Sequence, residues 1–159
     1  MNRSPAAHAL NESSYALQHV LRAVLDAERR TLGMTSPLKL VQAITTSEEW
    51  AWLRPLYALI ADIDHAHAAD AELPASEIAA IGAHARAMLS GHGAPIEALF
   101  LERYRVLLQL DTNVAMAHGR AMQALSKLPP EADNESERLH ARHQWNERRL
   151  HQRKHKPED

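Results

Sequence analysis

The stretch HALNESSYALQHVLRAVLDAERRTL, residues 8–32, decides the fold. It contains neither Pro nor Gly. Leu10, Leu17, Val20, Leu21, Val24, Leu25 and Leu32 return at the three- and four-residue intervals that place side chains on one side of an α-helix. Gly33 closes this first helix, because glycine adopts the left-handed conformation that ends a helix without steric cost. Ser36 and Pro37 then open a short segment reaching about Thr45, as N-cap and first helical residue.

The same punctuation continues outward. Ser47, followed by Glu48 and Glu49, caps a second long helix expected to run to about Ala69 with a kink at Pro55. A third helix begins at Pro74-Ala75-Ser76-Glu77, carries Ile78, Ile81, Ala85, Met88 and Leu89, and ends in Ser90-Gly91-His92-Gly93. Pro95 begins a fourth. Its stripe runs from Ile96, Leu99 and Phe100 through Leu107, Leu110 and Val114 to Ala117, Ala121 and Leu125. The stripe stays in phase across Asp111-Thr112-Asn113, which predicts one helix to about Lys127, bent at those three poor helix formers.

Composition agrees with this pattern. Hydrophobic residues make up 45% of the 159 and charged residues 24%, enough for a core. Aromatics are only 4%, and an apolar set dominated by Ala, Leu, Ile and Val favours helix. The expected fold is all-α: an up-and-down bundle of four long helices plus a short connecting helix over residues 1–128, followed by a polar tail over 129–159. In that tail Leu139, Trp145 and Leu150 are the only sizeable apolar residues. Its acidic residues come first, Glu131 to Glu137, and its basic residues mostly follow, from Arg138 to Lys156. Such a segment cannot build its own core, so it is expected to add little to stability and either to order on a partner or to pack on the bundle.

Net charge of -2 supplies no field that would draw the chain to nucleic acid or an anionic membrane. No apolar run is long enough to cross a bilayer, and the N-terminal Met-Asn-Arg-Ser-Pro leads into a mixed polar helix, so the expected compartment is the cytoplasm. The absence of Cys removes disulfides, thiolate zinc sites and thiol nucleophiles. Neither a phosphate-binding loop nor a nucleophile elbow nor a two-histidine zincin motif is present, which weighs against an enzyme.

Helical wheels single out the polar residues that intrude on apolar arcs. In the second helix Asp64 and His67 fall within the broad arc of Trp50, Trp52, Leu53, Leu56, Tyr57, Leu59, Ile60 and Ile63, whereas Asp62 and His65 fall outside it. Glu28 intrudes in the first helix, and Arg103 and His118 in the fourth. With the second and fourth helices parallel, Glu28 meets Arg103, and Asp64, His67 and His118 converge with Asp111 at their margin. One carboxylate and two imidazoles are ligand chemistry for Zn or Fe, but without a visible fourth ligand the expected reading is structural, the three pairing with one another or reaching solvent at the bundle end. A di-iron bundle needs two Glu-x-x-His pairs, and only Glu137 with His140 has that spacing. The tail adds His143, Glu147, His151 and His155 at four-residue intervals, a second chelating pattern.

The principal functional expectation is a non-enzymatic interaction or regulatory module that binds a protein partner. The second helix is apolar over half its cylinder, wider than one bundle face needs. Trp52, Leu56, Leu59 and Ile63 are therefore candidate contacts to a partner, to a second copy in a homodimer, or to the 37–45 segment, unless the second helix is simply central to the bundle. Arg142, Trp145 and Arg149 are the tail's candidate partner contacts. Together with Arg148 they also mix cations with a stacking ring, the basis of a weaker nucleic-acid reading opposed by the acidic run beside them.

Overall fold

The computed structural model describes residues 4–32, 38–39, 42, 46, 48–68, 72–91 and 98–154, and among these there is no strand. Six α-helices follow one another: α1 (Pro5–Leu32), α2 (Arg54–Ala68), α3 (Ala75–Ser90), α4 (Ala98–Leu110), α5 (Thr112–Ser126) and α6 (Glu135–Lys154). A 3-10 segment, Glu48–Leu53, precedes α2. The expected connecting segment over 37–45 and the caps at Gly33, Ser36 and Ser47 fall largely outside the described residues.

α1 begins three residues earlier than its stripe predicts, because Ser4 caps it. The Ser4 Oγ accepts from the Ala7 N–H at 3.2 Å, and Pro5 occupies the first turn, where its missing N–H is not needed. Its stripe buries Leu10, Leu17, Val20 and Val24, chiefly against α5 and then α2.

Two proline and cap readings need correction. Pro55 does not kink a long helix; it stands in the first turn of α2, again a position that tolerates a missing donor, and the turn before it is 3-10. The predicted fourth helix is two helices. Asp111 lies in an extended conformation, φ -122° and ψ 116°, and its side chain accepts from the Val114 N–H at 3.1 Å, so it is the N-cap of α5. Leu110 and Val114 keep their helical phase across a one-residue break, which hydrophobic periodicity does not register. Gly91 ends α3 with φ 104°, and its N–H donates to the Ala87 carbonyl at 3.1 Å.

The tail forms the 20-residue helix α6, capped by Asn134, whose Oδ1 accepts from the Glu137 N–H at 3.2 Å. Glu135 and Glu137 occupy its first turn and His151, Arg153 and Lys154 its last, the polarity that complements the helix dipole. α6 packs mainly on α3 and also reaches α2, and Ala141 and Trp145 are part of the common core. The fold is all-α, with six helices among the described residues, and the tail takes the second of its two expected courses, packing on the bundle. No helix among the described residues is long and apolar enough to cross a membrane.

Candidate functional site

Trp145 is 2% exposed and, with Ala141 one turn earlier, supplies the apolar face that α6 lays on the bundle. Around that face three arginines meet two buried carboxylates. Arg148 grips Glu77, in the first turn of α3, through Nε to Oε2 at 2.8 Å and Nη2 to Oε1 at 3.3 Å. Arg149 and Arg153 both donate to Oδ2 of Asp62 on α2, at 2.8 and 2.9 Å. Glu77 is 4% exposed and Asp62 6%, so each carboxylate depends on its arginine for the partner that water no longer provides. The Arg149 guanidinium also lies over the Trp145 ring, 5.5 Å from its centroid. Charge and ring together fix how α6 sits.

His84 of α3 lies beside this network, its pKa lowered to about 4 by burial and by the Arg149 charge, against an opposing pull from Asp62. It is neutral at pH 7. At the start of the tail, Arg142 binds Glu131 in a two-pronged pair at 2.7 and 2.6 Å, and that hydrogen bonding holds the guanidinium even more firmly protonated than usual.

These contacts relocate the residues singled out from sequence. Arg142 and Arg149 are engaged by carboxylates of the same chain, Arg142 with its side chain half exposed, and Trp145 is buried. Trp52, Leu56, Leu59 and Ile63 are buried as well and belong to the chain's own core, as a centrally placed helix requires.

The metal candidates do not converge. Asp64 is exposed and accepts from Ser14 at 2.6 Å and Gln18 at 3.4 Å, both on α1. His118 pairs instead with the buried Tyr104, Nδ1 to hydroxyl at 2.8 Å. Burial raises the Tyr104 pKa and lowers that of His118, so both partners of this hydrogen bond are held in their neutral forms. Among the described residues no group of three or more His, Cys, Asp or Glu side chains, whether Asp64 with His67 and His118 or the tail stripe, is placed to hold a metal ion. His155 lies outside the described residues.

Among the described residues no ion pair joins Glu28 to Arg103. Arg103 lies over the Trp52 ring at 5.9 Å, and α1 reaches the α4–α5 junction through Arg30, which binds Asp111 at 2.6 Å. Wheel analysis also missed Asp62 and Glu77. Asp62 falls outside its helix's main arc because the wheel assumes one buried face, whereas α2 has a second one toward α6. The available signal was the run Ala141, Trp145, Arg149 and Gln152 along one side of the tail.

The surface that the fold leaves apolar lies elsewhere. α4 buries only Phe100 and Tyr104, stacked on each other at 5.1 Å between centroids, with Phe100 stacked on Trp52 at 6.1 Å. Its outer side carries Leu99, Val106 and Leu110, each more than half exposed. At spacings of seven and four residues they form a straight stripe bordered by Glu102 on one side and Arg103 on the other. Compared with protein-family models, curated proteins and solved structures, the chain matches none of them.

Proposed function

We propose that the chain is a non-enzymatic helical module that binds a protein partner, and that its docking face is the outer side of α4. The carrying observation is the exposed stripe Leu99, Val106 and Leu110 on a helix that contributes only two buried side chains to the fold. The eleven steps from Leu99 to Leu110, at about 1.5 Å rise each, give a stripe of roughly 17 Å, about three helical turns. Apolar residues at this spacing pair with the apolar seam of another helix, and Glu102 and Arg103 on the two borders select the charges that flank that seam. The partner is therefore an amphipathic helix of another protein; a second copy of this chain is the alternative occupant.

A photo-crosslinking amino acid at position 106, with exposed position 123 as the control, tests this in the native cell. The expected result is one discrete cross-linked species from position 106, absent from position 123 and lost when Leu99 and Leu110 are both changed to Glu. A species of two copies identifies the homodimer. No species, or the same species from both positions, contradicts the reading.

A further inference from the structure

A cleft of about 620 Å³ opens between α3, α5 and α6, away from the α4 stripe in sequence and built from different residues. Its volume falls within the range of small-molecule sites. Ala83, Ala87 and Met122 give it an apolar wall. Two guanidiniums, Arg86 and Arg142, line it together with one carboxylate, Glu131. Arg142 and Glu131 cancel each other as a two-pronged pair.

Among the described residues Arg86 has no such counterpart. One of its N–H groups donates to the Leu125 carbonyl at 3.1 Å, which holds the guanidinium in place without neutralising it. An arginine carries five N–H donors, so most of its fork remains for another acceptor. Trp145 lines the same cleft, and its buried indole N–H has no acceptor among the described residues. A buried donor without an acceptor is costly and rare in a folded protein.

We propose that this cleft binds a small organic monocarboxylate with a flat apolar body, its carboxylate on Arg86 and its body against Ala83, Ala87 and Met122. The charge balance selects a single negative charge. The lining side chains sum to one positive charge, because the His84 imidazole beside them is neutral. A phosphate dianion would leave a surplus negative charge next to Glu131, and inorganic phosphate would leave the apolar wall uncovered. The side chains of Ser90 and Asn146, which also line the cleft, supply further donors to an acceptor-rich ligand.

The full chain labelled with 15N at tryptophan tests the proposal. Three indole N–H signals are expected, from Trp50, Trp52 and Trp145, and Trp145→Phe assigns the last. Titration with benzoate should move the Trp145 signal saturably and leave the other two in place. Benzamide, the neutral counterpart, should not saturate, and Arg86→Gln should weaken benzoate binding by roughly tenfold or more, the scale of a lost hydrogen bond to a charged group. No saturable shift with benzoate, or equal binding of benzamide, overturns the proposal even if Arg86→Gln fails to fold. Equal or tighter binding of inorganic phosphate overturns the monocarboxylate assignment, and unchanged binding in a folded Arg86→Gln overturns the role of Arg86.

Discussion

Replacing Trp145 by Ala should cost about 3 to 5 kcal/mol of stability, the range for large aromatic truncations in a core. The number follows from where the side chain sits. Trp145 is 2% exposed, and burying roughly 200 Å² of apolar surface at about 25 cal/mol per Å² is worth about 5 kcal/mol. The adjoining cleft lets water reach part of the space vacated, which moves the expectation toward the lower end. The substitution also removes the ring beneath Arg149, a contact of about 0.5 to 1 kcal/mol. At roughly 2 to 4 °C per kcal/mol for a chain of this size, the midpoint of thermal unfolding should fall by about 10 °C. Urea titration followed by circular dichroism measures the free energy directly. The exposed tail residues Leu139 and Leu150, each 52% exposed, serve as controls whose change to Ala should stay within about 0.5 kcal/mol. A loss below about 1 kcal/mol for Trp145→Ala would refute the reasoning, because it would mean that α6 is not anchored where its one buried ring lies.

Arg148→Ala should cost about 2 to 3 kcal/mol, because it leaves the buried Glu77 carboxylate without its partner, and adding Glu77→Ala should recover part of that loss in a double-mutant cycle. Asp111→Ala should cost about 1 to 2 kcal/mol by removing both the cap of α5 and the Arg30 pair, whereas Asp111→Asn keeps the cap and should cost less than about 1, as thermal unfolding would show. Folding lowers the His84 pKa from 6.5 to about 4, so the unfolded chain takes up that proton first. Stability from this group is complete above about pH 6.5 and declines as pH falls toward 4, by up to about 3 kcal/mol, and denaturant titrations of His84→Gln over the same window should decline by that much less.

Much of the helical layout was legible because it depends on local chemistry. The stripe of α1, the start of α3 after Pro74 and its end at Gly91 each follow from side-chain spacing or from one residue's backbone preference. Asp111 was harder, since a residue that weakens a helix and a residue that caps a new one carry the same side chain, and only its backbone angles tell them apart. The α6 site was hidden for a different reason. Glu77 and Arg148 are 71 residues apart and Asp62 and Arg149 are 87 apart, and a wheel drawn for one helix says nothing about its register against another. Averaging over a polar tail also concealed a single tryptophan that, with one alanine, is enough to seat a helix once its arginines find buried carboxylates. The same blindness to register brought Asp64, His67 and His118 together on paper, whereas α1 and Tyr104 provide the partners of Asp64 and His118.

With α6 docked, Arg148, Arg149 and Arg153 are engaged on α3 and α2, and the α4 stripe of Leu99, Val106 and Leu110 stays exposed. Amide hydrogen exchange on the full chain at neutral pH tests this docking most directly. The account predicts that amides around Ala141 to Arg149 are protected to a level close to those in the middle of α3, because the two helices share one interface and open together. Exchange of the α6 amides at rates near those of an unstructured peptide, with α3 still protected, would contradict it.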